Sequence, residues 1–280
     1  MPSEPTRVQL PSGVELHFIE KGHGPPVILL HGGMGDCSSW AAQMDALAVN
    51  HRVIAYSRRH GHPNRNPAFS AAHGLDDDVA DLLAFGEQVR IGPAHLVGTS
   101  YGALVALAFA LAHPALALSL VLAEPPLHRW ACRTPAGADL HDAFMRDVWQ
   151  PAADAFDRSD VRQALQGLVD GMWGRAIFDR LPAGRREGVL RNAAAMRALT
   201  RSPDPFPDLP RSEVAQLAMP VLLLHGEHAS DLHRCSIDEL AHVMPTAARA
   251  EIAGAGHGSA HENRDGFNGA VLAFLVAQSR

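Results

Sequence analysis

The stretch HLVGTSYGALVALAFA, residues 95–110, decides the fold. Its first part is a short apolar run without polar alternation, as a strand buried on both faces requires. Its second part is apolar throughout and runs to Pro114, which stops a helix. Between them stands Ser100, flanked by Gly98 and Gly102. A strand, a tight turn and a helix put the serine hydroxyl at the carboxyl end of a sheet, above a helix amino terminus. Glycine at both flanks has a steric reason, because side chains there would crowd the turn and the approach of the helix to the neighbouring strand. The five-residue pattern alone is weak. Its setting makes Ser100 a candidate nucleophile.

Outward from this point, the first third of the chain alternates strands and helices. RVQLPSG and VELHFIEKG read as a hairpin around Pro-Ser-Gly, PPVILLHGG and RVIAYS as buried strands, and SSWAAQMDALAVN and DDDVADLLAFGEQVRIG as helices. Asp76, Asp77 and Asp78 suit the first turn of the latter helix, facing its macrodipole, better than they suit a metal. ALALSLVLAE is a further strand. Such alternation points to βαβ crossovers and a parallel sheet. Between residues 127 and 209 the buried-strand runs vanish and apolar residues recur at helical spacing, up to the proline-rich connector SPDPFPDLPRS. We therefore expect a core of residues 1–126 and 210–280 with a helical subdomain, 127–209, inserted in it. The core rhythm resumes with MPVLLLHGEH, SIDELAHVMP, ARAEIAGAGHG and RDGFNGAVLAFLVAQ.

Composition bounds the partners. The chain has 280 residues, 47% hydrophobic and 19% charged, a size suited to one large α/β domain with an insertion. No apolar run reaches membrane-spanning length, and the start lacks the features of a secretory signal, which favours the cytoplasm. A net charge of −6 spread along the chain leaves no footprint for nucleic acid or anionic lipid. A small molecule is the expected partner, and the oligomeric state is not readable. Cys37, Cys132 and Cys235 are widely spaced and read as free thiols. The 17 histidines, including His60 and His62 in HGH, invite a metal reading, but no converging ligand set is visible and no metal is expected.

A serine needs a base within hydrogen-bond reach. His257, in the small-residue loop AGAGHGSAHE after the last expected strand, is the first candidate, and His261 is its rival. Acyl chemistry also needs donors for a developing oxyanion. HGGMGD, residues 31–36, follows the third strand and offers the N–H of Gly33, or of Met34 as the alternative, to pair with that of Tyr101. The acid that would orient the histidine has two main candidates. Glu124 ends the sixth strand, and the following Pro125 favours an extended conformation there. Asp231 lies beyond the seventh strand. Asp238 and Glu227 are more remote options.

HGGMGD, GTSYG and GAGHG, in that order within strand-helix alternation, resemble the α/β-hydrolase superfamily, in its capped serine hydrolase, esterase-like branch. The resemblance covers about residues 5–126 and 210–280. It implies an α/β-hydrolase fold: a mostly parallel eight-stranded sheet flanked by helices with an inserted helical cap, a Ser-His-acid triad and no cofactor. Relatives usually place the acid after strand seven, in many of them three residues beyond the glycine matching Gly226; that position here is Ala229. Some capped relatives take it from the end of strand six, where Glu124 stands. In YSRRHGHPN, residues 56–64, Ser57 replaces an acid found in many relatives, so this loop is given no role beyond lining the site. Trp130, Phe144, Trp149, Met172, Trp173 and Phe178 are the residues from which a cap pocket would be drawn.

The leading expectation is hydrolysis of a carboxylic ester or lactone through an acyl-enzyme on Ser100. A carbon–carbon bond hydrolase of aromatic degradation on the same triad is the first alternative, with Arg58 and Arg59 suited to a carboxylated substrate. A non-catalytic ligand-binding protein on the same fold is the second.

Overall fold

Eight strands form one sheet in the order β1-β2-β4-β3-β5-β6-β7-β8. They are β1 (Thr6–Gln9), β2 (Glu15–Lys21), β3 (Pro26–Leu30), β4 (Arg52–Tyr56), β5 (Ala94–Thr99), β6 (Ala117–Ala123), β7 (Val221–Gly226) and β8 (Ala248–Ile252). The computed structural model describes residues 4–67, 73–174 and 176–278. β1 and β2 pair antiparallel, as do β2 and β4; all later pairings are parallel.

The unbroken apolar runs follow from burial on both sides of the sheet. Val27, Leu29, Val53, Val97, Val121 and Leu224 face one way, into a core shared with Met44 and Leu47 of α1 (Ala41–Leu47) and with Phe267, Val271 and Leu275 of the closing helix. Ile28, Leu30, Ile54, Leu96, Leu120 and Leu122 alternate with them and face α2 (Leu75–Gln88) and α3 (Tyr101–Ala112). Every residue from Tyr101 to Ala110 is buried, which accounts for a helix with no polar face. In α2, Asp76, Asp77 and Asp78 do occupy the first turn, and Asp77 accepts a hydrogen bond from the Gly74 N–H at 3.0 Å.

Among the described residues, eight helices stand between β6 and β7: α4 (His128–Ala131), α5 (Pro135–Phe144), α6 (Gln150–Asp157), α7 (Val161–Trp173), α8 (Ile177–Arg180), α9 (Ala183–Arg191), α10 (Ala193–Arg201) and α11 (Arg211–Val214). A π-helical turn, Met145–Trp149, joins α5 to α6. Three more helices, α12 (Asp231–Val243), α13 (Ser259–Glu262) and α14 (Arg264–Gln278), complete the chain.

The helical insert is anchored to the core by a buried carboxylate. Asp36, 1% exposed, accepts hydrogen bonds from Arg191 Nε at 2.8 Å and from Asn192 Nδ2 at 2.8 Å, and also from the N–H of Ser38 at 2.9 Å. Burial alone would raise its pKa, but the bonds from Arg191, Ser38 and Asn192 outweigh that and hold it below the usual carboxylate range.

Candidate active site

The turn after β5 puts Ser100 at φ 51° and ψ −126°, in a region that non-glycine residues enter at a cost. Two contacts hold it there: its N–H donates to Ala123 O at 2.8 Å, and its carbonyl accepts from the Ala103 N–H at 2.8 Å. A Cβ on Gly98 would lie 2.5 Å from Gly102 O and 2.6 Å from Ala103 Cα; one on Gly102 would collide with the carbonyl oxygens of Leu30 and His31. Both flanking positions therefore exclude any larger residue.

Strand pairing determines which carboxylate reaches the site. Thr99 of β5 pairs with Ala123 of β6, so the residues that follow, Ser100 and Glu124, emerge side by side. Glu124 is 2% exposed, and its φ is 47°. The extended conformation expected before Pro125 is thus corrected: the chain turns through a left-handed residue, with the Glu124 N–H anchored on Leu224 O at 3.1 Å. Both carboxylate oxygens are engaged. Oε1 accepts from the Gly226 N–H at 2.8 Å, and Oε2 accepts from His257 Nδ1 at 2.6 Å. On the other edge of the ring, His257 Nε2 lies 3.0 Å from Ser100 Oγ. An ionised carboxylate only accepts, so Nδ1 carries the ring proton and Nε2 is left to accept from the serine hydroxyl.

The other acids lie elsewhere. Asp231 begins α12 and is exposed, as are Glu227 and Asp238. Glu227 accepts from the Gly254 N–H, and Asp238 from Arg249. His261, in α13, also lines the cavity above Ser100, but it is His257 that meets both the serine and the carboxylate.

Burial pushes the Glu124 carboxyl upward, yet the bond and charge of His257, with help from His233 and the Gly226 N–H, bring its pKa down to about 2. His233 was not foreseen. It stacks on His257 with ring centroids 4.0 Å apart and planes 18° from parallel, and its Nδ1 meets Ser230 Oγ at 2.8 Å. Burial and the neighbouring His257 lower its pKa to about 3, so it stacks as a neutral ring. Ligand-type atoms of Glu124, His233 and His257 lie within 4.8 Å of one another, close enough for a divalent cation to bridge. A cation there would have to break the bond that orients His257. His60 and His62 join no such cluster among the described residues.

The loop after β3 adjoins the serine. A Cβ on Gly32 would sit 3.2 Å from Ser100 Cβ, and one on Gly33 would strike Met196 Sδ of α10. The N–H groups of Gly33, Met34 and Tyr101 make no hydrogen bond among the described residues. His31 braces this loop: its Nδ1 donates to Gly32 O at 2.7 Å, and its Nε2 accepts from the Arg58 N–H at 2.9 Å. Burial, then the Arg58 charge, lower its pKa to about 4, which keeps the ring neutral and able to accept. The residue 56–64 loop thus buttresses the one beside Ser100. Arg58 pairs with Asp78 at 3.2 Å and covers the Tyr101 ring at 4.6 Å, and Arg59 pairs with Asp81 at 2.8 Å. Neither arginine is available to a substrate carboxylate, which corrects the role first suggested for them.

Of the apolar candidates in the insert, Phe144, Trp149, Met172 and Trp173 line the cavity, joined by Met196, Leu199 and Phe206. Trp130 and Phe178 do not; both are fully buried, and Trp130 Nε1 donates to Leu209 O at 3.1 Å. Which face of a helix meets the site depends on packing that no single helix records. Two polar residues of the wall also escaped the sequence: His128, 2% exposed and with both ring nitrogens unpaired among the described residues, and Arg185.

Similarities to known proteins agree with this architecture. The carboxylesterase YbfK of Bacillus subtilis is 25% identical over 265 residues, covering 92% of this chain and 83% of that protein. The uncharacterized hydrolase YraK of the same organism is 33% identical over 180 residues, 62% of this chain and 61% of that protein. The crystal structure of a bromoperoxidase from Bacillus anthracis superposes with a TM-score of 0.78 at 22% identity, covering 98% of this chain and all of that one. Residues 27–270 match the model of the alpha/beta hydrolase family. With an eight-stranded sheet in this order and a serine turn at its carboxyl edge, the chain belongs to the alpha/beta hydrolase family.

Proposed function

We propose that the protein is a serine hydrolase that cleaves a carboxylic ester or lactone of a small molecule, with Ser100, His257 and Glu124 as its triad. The observation that carries this reading is the continuous chain from Glu124 Oε2 through both nitrogens of His257 to Ser100 Oγ, at 2.6 Å and 3.0 Å. Ser100 Oγ attacks the carbonyl carbon as its proton passes to His257 Nε2, and Glu124 stabilises the imidazolium. The N–H groups of Tyr101 and Gly33, with Met34 as the alternative to Gly33, receive the oxyanion. Collapse expels the alkoxide, which takes the proton from His257. Water, deprotonated by the same ring, then attacks the acyl-enzyme and releases the carboxylic acid and Ser100. Nucleophile, base and donors are all protein groups, so the reaction requires no cofactor. The name of YbfK, similar over most of both chains, supports an ester as the bond cleaved.

The insert, residues 127–209, acts as a cap on the 1–126 and 210–280 core in this reading. Its Phe144, Trp149, Met172 and Trp173 supply apolar wall to the cavity that holds the serine.

Fluorophosphonate labelling followed by intact mass tests the proposal without any guess about substrate. One adduct on the wild-type protein and none on Ser100→Ala is expected. An unlabelled wild type that fails to hydrolyse a panel of simple esters would refute it and favour a ligand-binding role.

A further inference from the structure

Resting on the reading of Ser100 as the nucleophile, we infer that the natural substrate carries a carboxylate, which Arg185 receives beside the Trp173 ring. Among the described residues that line the cavity holding Ser100, Arg185, on α9, is the only lysine or arginine. Its guanidinium lies over the Trp173 ring, 5.3 Å from the centroid. Among the described residues it forms no hydrogen bond or ion pair through its side chain. Three other sheltered arginines are matched with acids, Arg58 with Asp78, Arg59 with Asp81 and Arg211 with Glu239, while Arg197, outside this cavity, buries an unpaired Nε among the described residues.

An unmatched cation facing a largely apolar cavity is costly unless an anion arrives. Burial draws the Arg185 pKa down to about 10, against the pull of Glu262 and Asp36. Those acids have other partners: Asp36 holds Arg191, and Glu262 Oε2 accepts from the Gly256 N–H at 2.6 Å. Arg185 therefore remains charged near neutral pH with its donors uncommitted.

His261 lines the same cavity, near enough to Arg185 to feel its charge. Burial, then the charges of Arg185 and Arg264, lower its pKa to about 3. A neutral imidazole there still carries one N–H to offer to a carboxylate held by Arg185. The rival base thus finds a place as a second donor for substrate.

The test compares esters that differ only in an anion. One pair is the 4-nitrophenyl hemiester of adipic acid and 4-nitrophenyl 6-methylheptanoate, in which an isopropyl group replaces the carboxylate. A second pair places the same exchange on the alcohol side. In at least one pair, the wild type should favour the carboxylated ester in kcat/KM by about tenfold or more, the worth of one charge-assisted hydrogen bond. Arg185→Met should erase that preference by lowering kcat/KM for the carboxylated ester, leave the neutral ester within about threefold, and Arg185→Lys should restore part of it. Thermal melting of each variant checks that it folds. Hydrolysis of the neutral esters with no preference for an anion in either pair overturns the inference. Were no ester cleaved and Ser100 unlabelled, the catalytic reading would fall; adipate binding to Ser100→Ala, followed by Trp fluorescence and compared with Ser100→Ala/Arg185→Met, would then decide the subsite alone.

Discussion

Glu124→Gln probes the site through a conflict between two donors. In the native protein each carboxylate oxygen serves one N–H, Oε1 that of Gly226 at 2.8 Å and Oε2 that of His257 Nδ1 at 2.6 Å. Glutamine has a single acceptor oxygen. If that oxygen stays on Gly226, the amide NH2 faces Nδ1, which must then accept; the ring proton moves to Nε2 and the base is lost to Ser100. If the amide flips, two N–H groups oppose each other at Gly226, and a buried donor goes unpaired at about 1–3 kcal/mol. In either orientation the imidazolium loses its counter-charge. With a pKa of about 2, Glu124 is ionised throughout the neutral and mildly acidic range, so this loss operates at every pH where the fold is intact. We expect kcat/KM to fall by about 10⁴, or about 5.4 kcal/mol at 1.36 kcal/mol per decade. Initial rates on a 4-nitrophenyl ester and the rate of fluorophosphonate labelling should fall together. Asp231→Asn, at an exposed position, should stay within about twofold of wild type. A folded Glu124→Gln protein that keeps more than a tenth of wild-type kcat/KM, or an Asp231→Asn variant that falls as far, would refute the reasoning.

Two further outcomes concern stability. Asp36→Ala strips the partner from Arg191 and Asn192 and should cost about 3 kcal/mol in urea unfolding, with Arg191 half in solvent moderating the loss; it should also speed proteolysis within α9 and α10, and an unchanged unfolding curve would show that the anchor is idle. Acid should weaken the fold before the carboxylates titrate. His31 and His95 have pKa values lowered to about 4, and His233 to about 3, in each case chiefly by burial. The unfolded chain takes up these protons near pH 6.5 and the folded protein only near 4 or 3, so the stability is fully present above 6.5 and drains as pH falls from there. At pH 5 one such ring costs about 2 kcal/mol. His233→Phe should therefore shrink the drop in stability between pH 7 and pH 5 by about that amount, and an identical drop in both proteins would count against a neutral His233.

How far the sequence reveals the site depends on the range of the forces involved. Ser100 is legible because the collisions that require Gly98 and Gly102 involve backbone within a few residues or on the adjoining strand. The strands of the core are legible because burial on both faces admits little but apolar side chains. Glu124 can be named from its position at the end of β6, but its left-handed φ arises from tertiary bonds to Leu224 and Gly226. Arg58 and Arg59 appear free in sequence because their acids, Asp78 and Asp81, approach only when α2 packs. His233, Arg185 and the bracing of His31 leave no local pattern, since each depends on neighbours brought from other elements. For the same reason Trp149 and Trp130 look alike in sequence, yet one lines the cavity and the other supports it.

The placement of Glu124 on β6 has a consequence for variation. Ser100 and Glu124, the proposed nucleophile and acid, leave neighbouring strands whose pairing runs from Ala94↔Ala117 to Thr99↔Ala123, so on that proposal the proton path is fastened to the sheet itself. From Glu227 onward, the connection after β7 is relieved of holding His257, and α12 instead brings His233 flat against that ring. Through His233 this segment contributes to the cavity wall. On the proposed triad, the residues between β7 and α12 carry no reacting group, so changes of length or charge there should reshape the pocket and act on the chemistry only through His233.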